Sequence, residues 1–111
     1  MSTGRGGSSA PATLDDATLR LLADPLRARI VELLATERLC TCHLVDELGV
    51  GQSNVSNHLR VLRQAGVVSA EPAGRYTYYA LEPQVLDVLA DRLHDLAVAA
   101  RASASRRRPC S

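Results

Sequence analysis

The amino-acid sequence predicts a mainly α-helical domain that carries one small β-hairpin. Two observations lead there. Apolar residues recur at three- and four-residue spacing through most of the chain, the period of a helix with one buried face. One stretch, residues 67–81, breaks that period with β-branched and tyrosine residues on either side of Pro72-Ala73-Gly74-Arg75.

Length and composition bound the rest. At 111 residues the chain suits a single domain. A monomer of this size buries only about two-thirds of the surface its unfolded chain exposes, so a second copy would add needed burial. The composition is globular, 46% apolar and 23% charged, with no apolar run long enough to span a bilayer. The Gly/Ser/Ala/Pro-rich start lacks the apolar core of a secretory signal, which points to a cytoplasmic protein with no membrane partner. The net charge of +1 says little by itself, but its distribution does. All thirteen basic residues are arginine, and no acidic residue falls between Gly49 and Ala70. One acid-free segment in a near-neutral protein suits a surface that meets phosphate. The three cysteines argue for metal or redox chemistry rather than a disulfide framework.

Taken in order, residues 1–13 predict a disordered tail. A helical pattern starts at Leu14 and places Ala17, Leu21 and Leu22 on one face. Asp24-Pro25 starts a second helix, with Asp as N-cap and Pro at the first helical position, and Leu26, Ile30, Leu33 and Leu34 follow to about Ala35. A short third helix spans Thr41 to Leu48, with Leu44, Val45 and Leu48 inward and Gly49 as its stop. A fourth spans Gln52 to Ala65, apolar at Val55, Leu59 and Leu62. Two strands, Val67–Glu71 and Tyr76–Leu81, flank the turn, with Tyr76 and Tyr78 on one face and Tyr79 on the other. The last helix runs from about Pro83 to Ala104 with a wide apolar stripe through Leu86, Leu89, Leu93 and Leu96. Residues 14–104 thus form the folded domain, and 105–111 a flexible basic tail that holds Cys110.

Helix, helix, helix–turn–helix, hairpin, helix is the order of a winged helix-turn-helix. Leu48-Gly49-Val50-Gly51 has the right length for the turn between a positioning helix and a recognition helix. The fourth helix is apolar on one side and carries Gln52, Ser53, Asn54, Ser56, Asn57, His58 and Arg60 on the other. These small polar groups can bond base edges and phosphates of double-stranded DNA, and several are poor helix formers that an ordinary solvated face would avoid. Arg75 in the hairpin turn is placed to reach phosphate or a minor groove.

These segments resemble those of ArsR/SmtB-type metal-responsive repressors. The resemblance lies in Leu22-Ala23-Asp24-Pro25-Leu26-Arg27-Ala28-Arg29-Ile30, in Ser53 through Leu62 followed by Gly66-Val67-Val68, and in Gly74 through Leu81 as the wing. It covers residues 14–104. It implies a homodimer built from the first and last helices that represses its operon until an inducer binds.

Leu39-Cys40-Thr41-Cys42-His43-Leu44-Val45-Asp46 is similar to the Cys-x-Cys segment on the positioning helix of arsenic, antimony, cadmium and lead sensors in that family. Residues two apart on a regular helix point about 200° apart, so both thiolates can share an ion only if Cys40 precedes the helix or its first turn unwinds. A helix N-terminus favours thiolate, and thiolate favours soft ions. The resemblance therefore implies arsenite, As(III), or antimonite, Sb(III), as inducer. Three departures qualify it. Val45 stands where arsenic sensors carry a third cysteine, and residues 1–39 offer no cysteine of the kind cadmium and lead sensors add. The family's zinc pattern on the last helix is incomplete, since no histidine follows His94. Cys110 is the only thiol left to complete a site with Cys40 and Cys42. Cd(II), Pb(II) or Zn(II), with His43 as a further donor, remains the alternative, as does a redox switch on the same thiols.

Overall fold

The computed structural model describes residues 17–110. The expected tail over 1–13 and the start of the first helix at Leu14 lie outside them. Five helices and three strands follow in order: α1 (Ala17–Leu22), α2 (Pro25–Leu34), β1 (Leu39–Cys40), α3 (Thr41–Leu48), α4 (Gln52–Gln64), β2 (Val68–Ala73), β3 (Tyr76–Leu81) and α5 (Pro83–Ala102). Local chemistry sets most of these ends. Asp24 is extended at φ −71°, ψ 125°, and its Oδ2 accepts from the Arg27 N–H at 3.0 Å, with Pro25 at the first helical position of α2. α3 stops at Gly49, whose N–H donates to the Val45 carbonyl at 2.9 Å.

The end of α4 turns the chain into the hairpin. Gly66 has φ +79°, its N–H donates to the Arg63 carbonyl at 3.0 Å, and Val67 N–H donates to the Leu62 carbonyl at 2.9 Å. This pair of bonds is a Schellman motif, and its left-handed position favours a residue without Cβ. Val67, just beyond, is fully buried.

β2 and β3 pair antiparallel from Val68↔Leu81 to Ala73↔Tyr76. The turn is therefore only Gly74-Arg75, two residues shorter than the sequence suggests. Gly74 has φ +66° and Arg75 a negative φ, the sign pattern of a type II′ turn that matches strand twist. Pro72 is tolerated inside β2 because β2 is an edge strand, the sheet order being β1-β3-β2. β1 itself is unforeseen. Two residues are too few to show a period, yet Leu39 pairs with Tyr79 and Cys40 with Tyr78.

Ile30 and Leu34 of α2, Leu44 of α3, Val55, Leu59 and Leu62 of α4, and Val67 and Val68 form the core, joined by Leu39 of β1. Val45, Leu48 and Tyr79 pack on it half-buried. α5 starts at Pro83 and packs against α1. Its Leu89 is buried, while Val88, Leu93 and Val98 are 52%, 45% and 48% exposed. Ser103–Ser105 form turns and Arg106–Cys110 have no regular structure. No helix among the described residues is long and apolar enough to cross a membrane.

The Arg27 N–H bond lowers the Asp24 carboxyl below its ordinary value of 3.8, opposed by burial and helped by the nearby Arg27 charge. A depressed folded-state pKa adds stability above the unfolded pKa, and that stability is lost as pH falls through the folded value. Asp24→Ala is therefore expected to lower the urea midpoint near neutral pH, with the gap to wild type closing below about pH 4. A gap of constant size down to strong acid would contradict the assignment of Asp24 as an ionised cap.

Candidate nucleic-acid interface and metal centre

The candidate recognition surface is what remains once α4 has buried its apolar side. Val55, Leu59 and Leu62 are at most 1% exposed, held by α2 and α3. Gln52, Ser53, Asn54, Ser56, Asn57 and Arg60 consequently face solvent. Arg60 Nη2 donates to Asn57 Oδ1 across one helical turn. Arg63 and Gln64 continue the polar side and, with Ser56, Arg60 and Tyr79, line a shallow cleft toward the hairpin. Arg75 is exposed at the hairpin tip.

His58 departs from its neighbours. It is half-buried, and its Nδ1 lies 3.1 Å from Arg27 Nη1. A guanidinium has only donors, so Nδ1 accepts and the ring proton sits on Nε2. Arg27 Nε also donates to the Leu21 carbonyl at 2.9 Å. One arginine thus joins the end of α1, the start of α2 and the middle of α4. Sequence reasoning missed Arg27 because its partner lies 31 positions away.

The second constellation sits at the start of α3. Cys40 is the N-cap residue at φ −88°, ψ 170°, outside the helix, while Cys42 lies in its first turn. The condition that the Cys-x-Cys spacing imposed is met, and the Cys40 and Cys42 sulfurs come together as a disulfide. Cys40 is 4% exposed, whereas Cys42 and His43 are on the surface. His43 Nδ1 accepts from the Cys40 N–H at 3.2 Å and touches Cys40 Sγ at 3.3 Å. The ligand atoms of Cys40, Cys42 and His43 lie within 4.8 Å of one another. The legible signal for His43 was its place three residues after an N-cap, where a side chain reaches back to the cap N–H. Cys110 is exposed in the tail and does not belong to this group.

The donor set can be tested against the ions the Cys-x-Cys segment suggests. Two sulfurs and an imidazole nitrogen suit soft or borderline ions and do not suit magnesium or calcium. Reduced, the two cysteines offer two thiolates on one side of the helix start.

An exposed polar helix face, a second helix packed across it and a β-hairpin at its side define a winged helix-turn-helix, the fold of DNA-binding transcriptional regulators. The chain belongs to the arsR family of bacterial regulatory proteins, whose profile matches residues 24–70. It is 42% identical over 67 residues to the arsenic resistance transcriptional regulator ArsR1 of Pseudomonas putida, covering 60% of this chain and 52% of that protein. It spans only about half the length of that relative. It is 35% identical over 72 residues to an uncharacterized HTH-type transcriptional regulator of Methanocaldococcus jannaschii, covering 63% of this chain and 81% of that one. The fold is similar to the crystal structure of a "possible transcriptional regulator for arsenical resistance", with a TM-score of 0.61 and 32% identity over 81% of this chain and 96% of that one.

The Arg27–His58 bond generates a test of its own. Arg27→Ala and His58→Ala should each lower stability, and the double variant should lose less than the sum, with a coupling on the order of 1 kcal/mol by urea unfolding at fixed protein concentration. Strict additivity would show that the bond contributes nothing.

Proposed function

We propose that this protein is a cytoplasmic, homodimeric repressor released from its operator by trivalent arsenic or antimony bound to cysteine thiolates. One observation carries the reading: the Cys40 and Cys42 sulfurs converge where β1 passes into α3. α3 packs directly on α4, and β1 pairs with the wing strand β3. An ion held there supplies a soft, thiolate-binding centre. Drawing both sulfurs to one point fixes the first turn of α3 and the strand beside it, and with them the angle of α4. A coupling of about 1–3 kcal/mol between the two sites is enough to change operator affinity 5–150-fold. The Pseudomonas putida relative is a regulator of arsenic resistance, and the similar crystal structure is that of a possible regulator for arsenical resistance. Cys110 is the third thiolate in this reading, brought from the tail of the same or the partner protomer at an entropic cost.

The DNA contacts fall to Gln52, Ser53, Asn54, Ser56, Asn57, His58 and Arg60 in the major groove and to Arg75 at phosphate or a minor groove. His58, with Nδ1 occupied by Arg27, has Nε2–H left to donate. Gel shifts of the reduced protein on a selected duplex test the whole scheme. Arsenite should release wild type. Cys40→Ser and Cys42→Ser should still bind DNA but no longer respond, and Cys110→Ser should respond at higher arsenite only. Ser56→Ala should weaken DNA binding by about 1–3 kcal/mol and leave arsenite affinity unchanged. Full induction of the Cys40→Ser, Cys42→Ser double variant would end the thiolate reading.

A second reading has its own observation, the Cys40–Cys42 disulfide. Peroxide would join the two sulfurs, taking two electrons and two protons from the thiols and leaving water. Release by peroxide, reversed by dithiothreitol, with no response to arsenite, would favour it.

The exposed face of α5 supports the dimer in this proposal. Val88, Leu93 and Val98 lie in water on a helix that already packs α1, and a two-fold copy of the same surface would cover them. Sedimentation should give a dimer at micromolar concentration, and Leu93→Glu should shift it toward monomer. A wild-type monomer with full operator binding would refute the assembly.

A further inference from the structure

The C-terminal end of the chain holds its densest run of one charge sign, and the helix-turn-helix leaves that run without a role. Four arginines, Arg101, Arg106, Arg107 and Arg108, fall within eight residues, and no acidic residue follows Asp95. All four are exposed. Arg27, Arg29, Arg38 and Arg60 each bond a neighbour. No partner holds the four C-terminal side chains among the described residues. The chain turns there, with Ser103 N–H donating to the Ala99 carbonyl at 3.1 Å and Arg106 N–H to the Ser103 carbonyl at 2.9 Å. That turn gathers Arg106, Arg107 and Arg108 with Ser103 around one shallow hollow. We propose that this arginine end is a second DNA-binding surface, which takes the phosphate backbone of double-stranded DNA outside the segment met by α4 and Arg75. The inference rests on DNA binding by α4 and adds to it a contact that reads charge alone.

The chemistry of the segment favours phosphate. A guanidinium is a rigid fork of donors with no acceptor, which matches phosphate oxygens. Neighbouring guanidiniums repel one another, so an anion that enters between them relieves that repulsion. Duplex DNA carries one negative charge per about 1.7 Å of its axis, enough to meet all four arginines. The competing acceptors on a second copy are the partner's Asp87 and the partner's Asp91, two exposed carboxylates of α5 against four cations. From Arg101 to Cys110 the chain has no large apolar side chain for a protein surface to bury. Basic arms of this kind commonly bind nucleic acid. α5 is 20 residues long, about 30 Å or roughly nine base pairs of duplex, and it separates the arginines from the wing strand. A contact at that remove falls on flanking duplex, beyond the bases under α4.

Two triple variants test this in the reduced full-length protein. In one, Arg106, Arg107 and Arg108 are all replaced by Gln; in the other, all three are replaced by Lys. Wild type and variants are titrated over a series of salt concentrations with two duplexes. One duplex is selected for wild-type binding and trimmed to its protected core; the other extends that core by one helical turn on either side. Wild type should bind the extended duplex more tightly than the glutamine variant does. Its log–log salt slope there should be steeper by up to about 3 per protomer, because each phosphate contact releases counterions. On the trimmed duplex the two proteins should bind alike. The lysine variant keeps the charges and should keep the steep slope. Helical circular dichroism should be the same in all three. Equal slopes on the extended duplex overturn the inference, and so does a loss of equal size on both duplexes. Dissociation of the glutamine variant's dimer in sedimentation, with loss of DNA affinity, would assign the arginines to the partner's α5 and overturn it too. Failure to select any duplex with wild type sinks the DNA reading of α4 and this inference with it.

Discussion

The outward polar face of the helix-turn-helix depends on the burial of one side of α4. Val55, Leu59 and Leu62 are essentially inaccessible, and burying three such side chains is worth roughly 5–9 kcal/mol as an upper bound. Ser53, Asn54, Ser56 and Asn57 cost the same helix about 0.5–0.7 kcal/mol each relative to alanine. Burial outweighs propensity by a factor of roughly two to four. That margin allows a helix of poor intrinsic tendency to present small, uncharged polar groups on its free side, where a self-sufficient helix would carry Glu and Lys.

The second dependence is the double membership of Cys40. It is a strand residue by its pairing with Tyr78 and a helix cap by its extended backbone before Thr41. A thiol at such a junction has little freedom, being 4% exposed with its N–H held by His43. Anything that binds its sulfur must act on a strand and a helix at once. The start of α3 and the wing strand β3, far apart along the chain, meet at this residue. Exposed ion pairs such as Arg29–Glu32 and Arg38–Glu71 sit in water and contribute little beside it.

Some of this was legible in the residues alone, for identifiable reasons. Asp24-Pro25, Gly49 and Gly66 act within a turn of themselves, so the helix starts and stops could be read from neighbours. The period of Val55, Leu59 and Leu62 likewise assigns inside and outside of α4 with no knowledge of what covers it. Cys-x-Cys at a helix start carries its own geometric demand, that Cys40 precede the helix or the first turn unwind, and the structure takes the first course.

What the sequence by itself determined, then, is the order of the helices and the hairpin, the two sides of α4 and the place of the thiols, because each follows from contacts within about one helical turn. Only the tertiary structure decided that Leu39–Cys40 forms a third strand, that the hairpin turn narrows to Gly74-Arg75, that Arg27 holds His58 from 31 positions away, and that His43 turns back onto Cys40. The first and third depend on surfaces that meet after the chain has collapsed, and no local period encodes them; the turn narrows because β2 and β3 stay paired through Ala73↔Tyr76. The last is local in sequence, but its outcome hangs on Cys40 being pinned extended by Tyr78, a partner 38 residues further along the chain.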